Sequence, residues 1–343
     1  MSESDKAYID GRLVQWGERW DWTPQNKKPR FAKRSHSGIA TAFTLYWAAR
    51  PPAAMTPEKA RRSIHAFVRN TPQVLLKVTG GGKGLSHVMA HLSYISRNGQ
   101  LPLEDENGEL HQNKDGLESA HDLWAYGYAT MPEDSQQREA INIVLSMPEG
   151  TDERAVRDAA RAFAQDFFGA NYQYVFVQHT FETDPDPEPS RNPHVHLAVK
   201  VRGKDGTRLS PKKADLAEWR EAFAQHLRDR GVEAVTSKRK TRFKRDKGQS
   251  QALRQLRERH HQGRGALPLH DENPQTRPAV SAKAKQEVQQ LVKDYMEIAS
   301  VLGNSPEREE RVLAIDLAKE TFLAAQREGM VKARPGPERG RGR

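Results

Sequence analysis

Apolar residues change their period repeatedly along the chain, and each change marks an element. Residues 74–79 (VLLKVT) form a short apolar, β-branched run closed by Gly80, Gly81 and Gly82, which predicts a strand. In the GLSHVMAHLSYISRNG that follows, Val88, Leu92 and Ile95 recur at helical spacing, while His87, His91 and Tyr94 gather on another face at offsets of four and three. Tyr94 therefore needs no place in a core. Residues 141–147 (INIVLSM) predict the next strand, Thr151 an N-cap, and Val156, Ala159, Phe163 and Phe167 the stripe of a helix that stops at Gly169. Residues 172–178 (YQYVFVQ) predict a strand from aromatic and β-branched content. The polar loop ETDPDPEPSRN leads into 194–201, which alternates as a strand does. Ser210 and Pro211 then open a helix with Leu216, Trp219, Phe223 and Leu227 as its buried stripe and Gly231 as its stop.

Strand and helix patterns thus alternate between Val74 and Val235, and the strands on either side of the proline loop join as a hairpin. The fold class expected is α/β (α+β): a central antiparallel sheet with flanking helices, rather than a doubly wound parallel sheet. Farther on, Val288, Leu291, Val292, Tyr295 and Leu302 recur at helical spacing. A second helix opens at Ser305 and Pro306 with Val312, Ile315 and Phe322 as its apolar positions, so a C-terminal pair of antiparallel helices is expected. Four regions follow: an N-terminal arm at 1–70, partly disordered because 22–34 is polar, basic and Pro-containing; the sheet domain at 71–250; a helical region at 251–330; and a disordered basic tail at 331–343, which lacks large apolar side chains.

Composition narrows the chemistry. The 343 residues carry 55 Lys and Arg against 45 Asp and Glu, a net +10 that favours a polyanionic partner such as nucleic acid. The excess peaks at 237–247 (SKRKTRFKRDK), which has no apolar periodicity and reads either as a solvated loop or as a DNA-contacting segment through Lys238, Arg239, Lys240, Arg242, Lys244 and Arg245. With no cysteine anywhere, thiolate chemistry is excluded and any metal must sit on His, Asp or Glu. No run is long enough to cross a bilayer and the first residues lack the order of a secretion signal, so a cytoplasmic protein without membrane insertion is expected.

The densest chemistry lies in NPHVHLA. Side chains alternate along a strand, so His194 and His196 emerge on one face with Val195 on the other. His179 ends the preceding strand, and hairpin pairing would bring it beside them as a third neutral nitrogen ligand. Such a set leaves a divalent ion Lewis-acidic, with positions open for phosphate oxygens. A His-x-His also arises by chance, and Glu182 and Asp184 read equally as loop solvation or as acids that orient an imidazole from behind. Tyr94 is the candidate nucleophile, whose competing reading is an ordinary tyrosine on an amphipathic helix.

In their order along the chain, KVTGGGKGLSHVMAHLSYISRNGQLPL, INIVLSMPEGT, YVFVQH, NPHVHLAVK and DGTRLSPKKADLAEWREAFAQHLRDRGVEA resemble the MobA/VirD-type relaxases, plasmid-mobilisation nucleases of the HUH endonuclease class. The resemblance spans roughly Val74 to Gly248. It implies that Tyr94 is the transesterification tyrosine and that His179, His194 and His196 bind a divalent ion, Mg²⁺ or Mn²⁺ first. Arg97 and Ser146 fall inside matching motifs in supporting roles, Arg97 as a DNA contact. The family carries an acid two residues after the first histidine and a short link to the pair. Here Phe181 stands at that position and PDPEPSRN lengthens the link, which leaves the acid open between Glu182 and Asp184.

The implied activity is site-specific nicking of one DNA strand at a plasmid or mobile-element transfer origin, through a 5′-phosphotyrosyl intermediate, with religation after conjugative transfer. The implied partners are single-stranded DNA, accessory DNA-binding proteins and a type IV secretion coupling protein. The implied location is the bacterial cytoplasm, with export alongside the transferred strand. Readings that remain open are a rolling-circle replication initiator or single-strand transposase of the same class, a non-catalytic DNA-binding module with structural histidines, and a zinc site for water-mediated hydrolysis.

Overall fold

The computed structural model of the chain describes residues 3–20, 55–243 and 282–328. They divide between two compact units, Gly17–Thr236 and Met1–Trp16 with Ser237–Arg343. The larger unit is built on six strands: β1 (Leu75–Gly80), β2 (Leu103–Asp105), β3 (Leu110–His111), β4 (Ala140–Ser146), β5 (Tyr174–His179) and β6 (His194–Lys200). Their order is β1-β4-β6-β5-β2-β3 and every pairing is antiparallel, so the mixed α/β architecture with an antiparallel sheet is the one observed. The proline loop does join a hairpin, with β5 and β6 in a register that sets His179 opposite His194 and Val177 opposite His196.

Because side chains alternate, each central strand feeds two cores. On one face Ile143 and Leu145 of β4, Phe176 of β5 and Val195, Leu197 and Val199 of β6 pack on two helices, α5 (Glu153–Ala164) and α6 (Lys213–Arg228). Phe163, Trp219 and Phe223 close that core with edge-on ring contacts at 6.2 and 6.4 Å. On the other face Val175, Val177 and Ala198 pack on α3 (Leu85–Ile95) and α4 (Asn113–Tyr126). His194 and His196 share the period of Ala198, and His179 that of Val177, so the histidines stand on the face that α3 covers.

Helix α3 is bounded by unusual backbone. Gly84 precedes it with φ of 112°, where an added Cβ would meet the Glu133 carbonyl oxygen at 2.3 Å. After its last turn Arg97, Asn98 and Gly99 all take positive φ (53°, 57° and 82°), and the Gly99 N–H donates to Ser96 Oγ at 3.1 Å. This left-handed turn ends the helix ahead of β2 and leaves the Arg97 side chain on Asp184.

The boundaries depart from expectation where local polar groups decide them. Asp152, not Thr151, caps α5, its side chain accepting from the Arg154 N–H at 3.0 Å, while the Thr151 hydroxyl donates to the Pro148 carbonyl. The expected stop at Gly169 is reached through a π-turn, Gln165–Gly169. The β2–β3 hairpin and α4 have no counterpart in the sequence reading. Strands of two and three residues carry no measurable period, although Asn107-Gly108, with Gly108 at φ of 84°, is the turn signal that betrays the hairpin.

Within the expected N-terminal arm stand two helices, α1 (Glu3–Arg19) and α2 (Pro57–Val68). Ile9, Leu13 and Trp16 recur on one buried face of α1, and Thr56 caps α2 by accepting from the Lys59 N–H. Within that arm 21–54, including 22–34, lies outside the described residues, as do 251–281 and the tail at 331–343. The two expected C-terminal helices are α7 (Ala282–Gly303) and α8 (Arg308–Arg327), which pack on each other. Tyr295 of α7 packs against Trp16 of α1 with tilted rings, centroids 5.0 Å apart. In α8 the buried face is Leu313, Leu317 and Ala324, and Val312, Ile315 and Phe322 are the exposed side, so the apolar positions noted in the sequence are not the packing ones. No helix among the described residues is long and apolar enough to cross a membrane.

Candidate functional site

The three histidines form a triangle at one end of the β5–β6 hairpin. Ring centroids lie 5.1 Å apart for His179 and His194, 4.7 Å for His179 and His196, and 5.1 Å for His194 and His196. One ring nitrogen from each lies within 4.8 Å of the other two. All three rings titrate below the ordinary imidazole value, first because burial penalises the cation. His196 falls furthest, to about 3, since His179, His194, His91 and Arg97 add their repulsion to its burial. Neutral imidazoles near pH 7 present lone pairs, the form in which histidine binds a cation.

Contacts behind the rings determine which nitrogens are presented. His194 Nδ1 donates to the Asn192 carbonyl oxygen at 2.9 Å, which turns its Nε2 toward the triangle. His179 is held at both nitrogens, with Nε2 2.6 Å from the Ile95 carbonyl oxygen and Nδ1 2.9 Å from Asp184 Oδ2. A cation taking Nε2 would displace the Ile95 contact and keep the Asp184 one, the carboxylate–histidine arrangement that fixes a ligand's tautomer. The donor set fits a divalent ion bound by nitrogen, and Asp184 lies behind His179 outside that set.

How an acid five residues after His179 returns to its ring is a matter of loop geometry. Beyond β5 the chain turns back, with the Asp184 N–H donating to the Thr180 carbonyl at 3.1 Å and the Thr180 and Thr183 hydroxyls 2.7 Å apart. Asp184 is buried at the end of this turn, whereas Glu182 is exposed. Burial alone would raise the Asp184 carboxyl, but hydrogen bonds from Arg97 and the Asp186 N–H, with the charges of His179 and Arg97, hold it at about 2.

Arg97 ties this turn to α3. Its Nε and Nη2 donate to the two Asp184 oxygens at 2.8 and 2.9 Å, and Nη2 lies 3.2 Å from Asp186 Oδ2 and 3.5 Å from His179 Nδ1. Asp184 first, then Tyr94 and Asp186, hold the guanidinium above its ordinary pKa. Its carbon lies 5.2 Å from the centre of the Tyr94 ring. Tyr94, at the C-terminal turn of α3, is 64% exposed, one residue before the carbonyl that meets His179. The phenol, the guanidinium, the buried carboxylate and the imidazoles therefore form one contiguous set.

The other residues singled out in the sequence fall around this set or apart from it. Ser146, paired with His194 across β4 and β6, is buried, and its hydroxyl donates to the Met147 carbonyl. His87 is exposed, and His91 is half-buried and near enough to lower His196. Lys238, Arg239 and Lys240 are exposed around a 3₁₀ turn, Arg239–Arg242, in the other unit, and burial lowers the pKa of Arg242. Lys244 and Arg245 lie outside the described residues. A second cluster, Asp105, Glu109 and His111, sits on the β2–β3 hairpin. There Asp105 accepts from the Asn107 and Glu109 N–H groups and pairs with His111 at 3.2 Å, so its contacts serve the turn.

Sequence reasoning missed the backbone parts of the site, the Ile95 and Asn192 carbonyls, since a carbonyl carries no residue signature. It also missed the clasp between Arg97 and Asp184, which are 87 positions apart.

A histidine triangle on an antiparallel sheet, flanked by a helix bearing an exposed tyrosine, has the parts of a metal-assisted phosphodiester-transfer site. Residues 102–232 match the MobA/VirD2-like nuclease domain of the relaxase family, which supports a likeness to the MobA/VirD-type relaxases. The match takes in the three histidines and Asp184 and begins beyond Tyr94 and Arg97. Among curated proteins, the T-DNA border endonuclease VirD2 of Rhizobium radiobacter is 29% identical over 142 residues, covering 38% of this chain and 32% of the relative. Those of Rhizobium rhizogenes and Agrobacterium fabrum are each 28% identical over 144 residues, covering 38% of this chain and 31% and 30% of the relatives. The chain thus spans about a third of the length of the curated relatives it matches. No solved structure matches it.

Proposed function

We propose that the chain is a relaxase that nicks single-stranded DNA at a transfer origin through Tyr94. The observation that carries this reading is the continuity from the Tyr94 ring through Arg97 and Asp184 to His179, which couples an exposed phenol to three neutral imidazoles. His179, His194 and His196 would hold a divalent ion, Mg²⁺ or Mn²⁺ first, and the ion would neutralise nonbridging phosphate oxygens and fix the phosphate's position.

The chain's own groups account for the rest. Tyr94 forms the new bond from its hydroxyl oxygen to phosphorus, the bond from phosphorus to the 3′ oxygen breaks, and its electron pair leaves on that oxygen. The phenol proton passes to solvent and the departing oxygen takes one up. Arg97, beside the phenol and held charged by Asp184, stabilises negative charge as it develops there. Because one phosphodiester replaces another, the 3′-hydroxyl can reverse the step and religate the strand. Accessory DNA-binding proteins, a type IV coupling protein and export of the attached protein complete the reading as proposals from the family resemblance.

The test is a covalent adduct. With a labelled transfer-origin oligonucleotide and Mn²⁺, the wild type should yield a protein–DNA band that survives denaturation, and Tyr94→Phe none. Cleavage without an adduct would instead support metal-activated hydrolysis.

A further inference from the structure

Beyond the histidine triangle the hairpin loop carries a cation–aromatic pair. Phe181, two residues after His179, lies under the guanidinium of Arg191, three residues before His194, with the guanidinium carbon 4.7 Å from the ring centre. Since His179 and His194 face each other in register, the two loop stems leave the sheet side by side and meet in this pair. Phe181 is 45% exposed, although it sits in a loop of acids and prolines with little apolar surface to cover it.

The pair is fastened to the triangle by a closed chain of contacts. Arg191 pairs with Glu149 at 3.2 Å, and the Glu149 N–H donates to Asn192 Oδ1 at 3.0 Å. The Asn192 carbonyl accepts from His194. A guanidinium and an aromatic ring thereby lie together beside the end of the sheet that carries the histidines. Unpaired bases stack on such surfaces whatever their sequence, because every base has a π-face.

We infer that the Phe181–Arg191 pair seats the unpaired base of the nucleotide adjoining the phosphate at the histidine triangle. This rests on the single-stranded DNA reading above and adds a residue that the match to known relaxases does not assign. Phe181 stands where the family resemblance calls for an acid, and Asp184 supplies that acid from the turn, which leaves the exposed ring available for stacking.

The test uses the full chain and two fluorescent probes, oligo(dT) and a fully abasic oligomer of the same length, compared by anisotropy. Phe181→Ala should weaken oligo(dT) binding at least about fivefold and leave the abasic oligomer unchanged. Phe181→Trp should retain affinity, and its added indole emission should be quenched by oligo(dT) alone. Unchanged oligo(dT) binding in Phe181→Ala, or equal weakening of both probes, overturns the proposal. The Tyr94 adduct assay, run in parallel, separates the two readings. An adduct without the base-dependent contrast rejects the seat and keeps the nuclease; the contrast without an adduct keeps a nucleobase seat and rejects transesterification.

Discussion

At the scale of single residues, the site turns on a carboxylate shared between an imidazole and a guanidinium. Asp184 is almost wholly buried and ionised, and it meets both His179 Nδ1 and the Arg97 guanidinium. Replacement by asparagine keeps the shape and removes the charge. Asp184→Asn should therefore lower Mn²⁺ affinity by about 10- to 100-fold, measured by calorimetric titration, and reduce Tyr94 adduct formation with it. Glu182→Gln should leave both as in the wild type, because Glu182 faces solvent. Equal effects of the two substitutions would mean that loop charge alone, not the Asp184–His179 contact, supports the metal. The three histidines were legible from strand alternation and hairpin order. The choice between Glu182 and Asp184 was not, since it depends on the turn formed by Thr180, Thr183 and Asp184. No sequence period records such a turn.

Among the elements, β6 places opposite chemistries at its two ends. His194 and His196 occupy one end, and Lys200, 2% exposed, is buried at the other, with Nζ donating to the Trp124 carbonyl at 2.8 Å. Burial lowers the Lys200 ammonium to about 8, against the attraction of Glu106 and Glu139. An amine with a folded pKa below its unfolded value binds fewer protons in the folded state between those two values, so stability rises with pH across that window. From pH 7 to pH 10 the gain is about 2 kcal/mol. Near pH 10 and above, an opposing effect sets in, because burial holds Tyr174 and Tyr295 protonated in the fold while unfolded phenols ionise. Urea unfolding of wild type and Lys200→Met at pH 7 and pH 10 should give a change more favourable in the wild type by about 2 kcal/mol, and an equal change in both would assign it elsewhere. The long amphipathic elements, α3, α5 and α6, were legible because their burial follows a period. The β2–β3 hairpin and α4 were not, since two- and three-residue strands and a stripe as slight as Ala120, Trp124 and Ala125 offer too little contrast.

For the whole molecule, the question is how far the proposed DNA contact extends beyond the residues that match known relaxases, 102–232. The match to known relaxases ends at residue 232, and the exposed Lys238, Arg239 and Lys240 follow directly in the second unit. The sequence marked this segment by charge alone, and charge without periodicity separates neither a solvated turn from a phosphate contact nor one unit from the next. Salt dependence makes that separation. Each phosphate neutralised on a single strand contributes about 0.7 to the slope of log affinity against log salt, so three contacts contribute about 2. If this turn lies on the strand, the triple change of Lys238, Arg239 and Lys240 to glutamine should flatten the slope by about 2. The Tyr94 adduct at saturating oligonucleotide should persist, since the histidine triangle and its tyrosine lie in the other unit. An unaltered slope would confine DNA contact to Gly17–Thr236 and to segments other than this turn, and the net +10 would then not be spent at its most concentrated point.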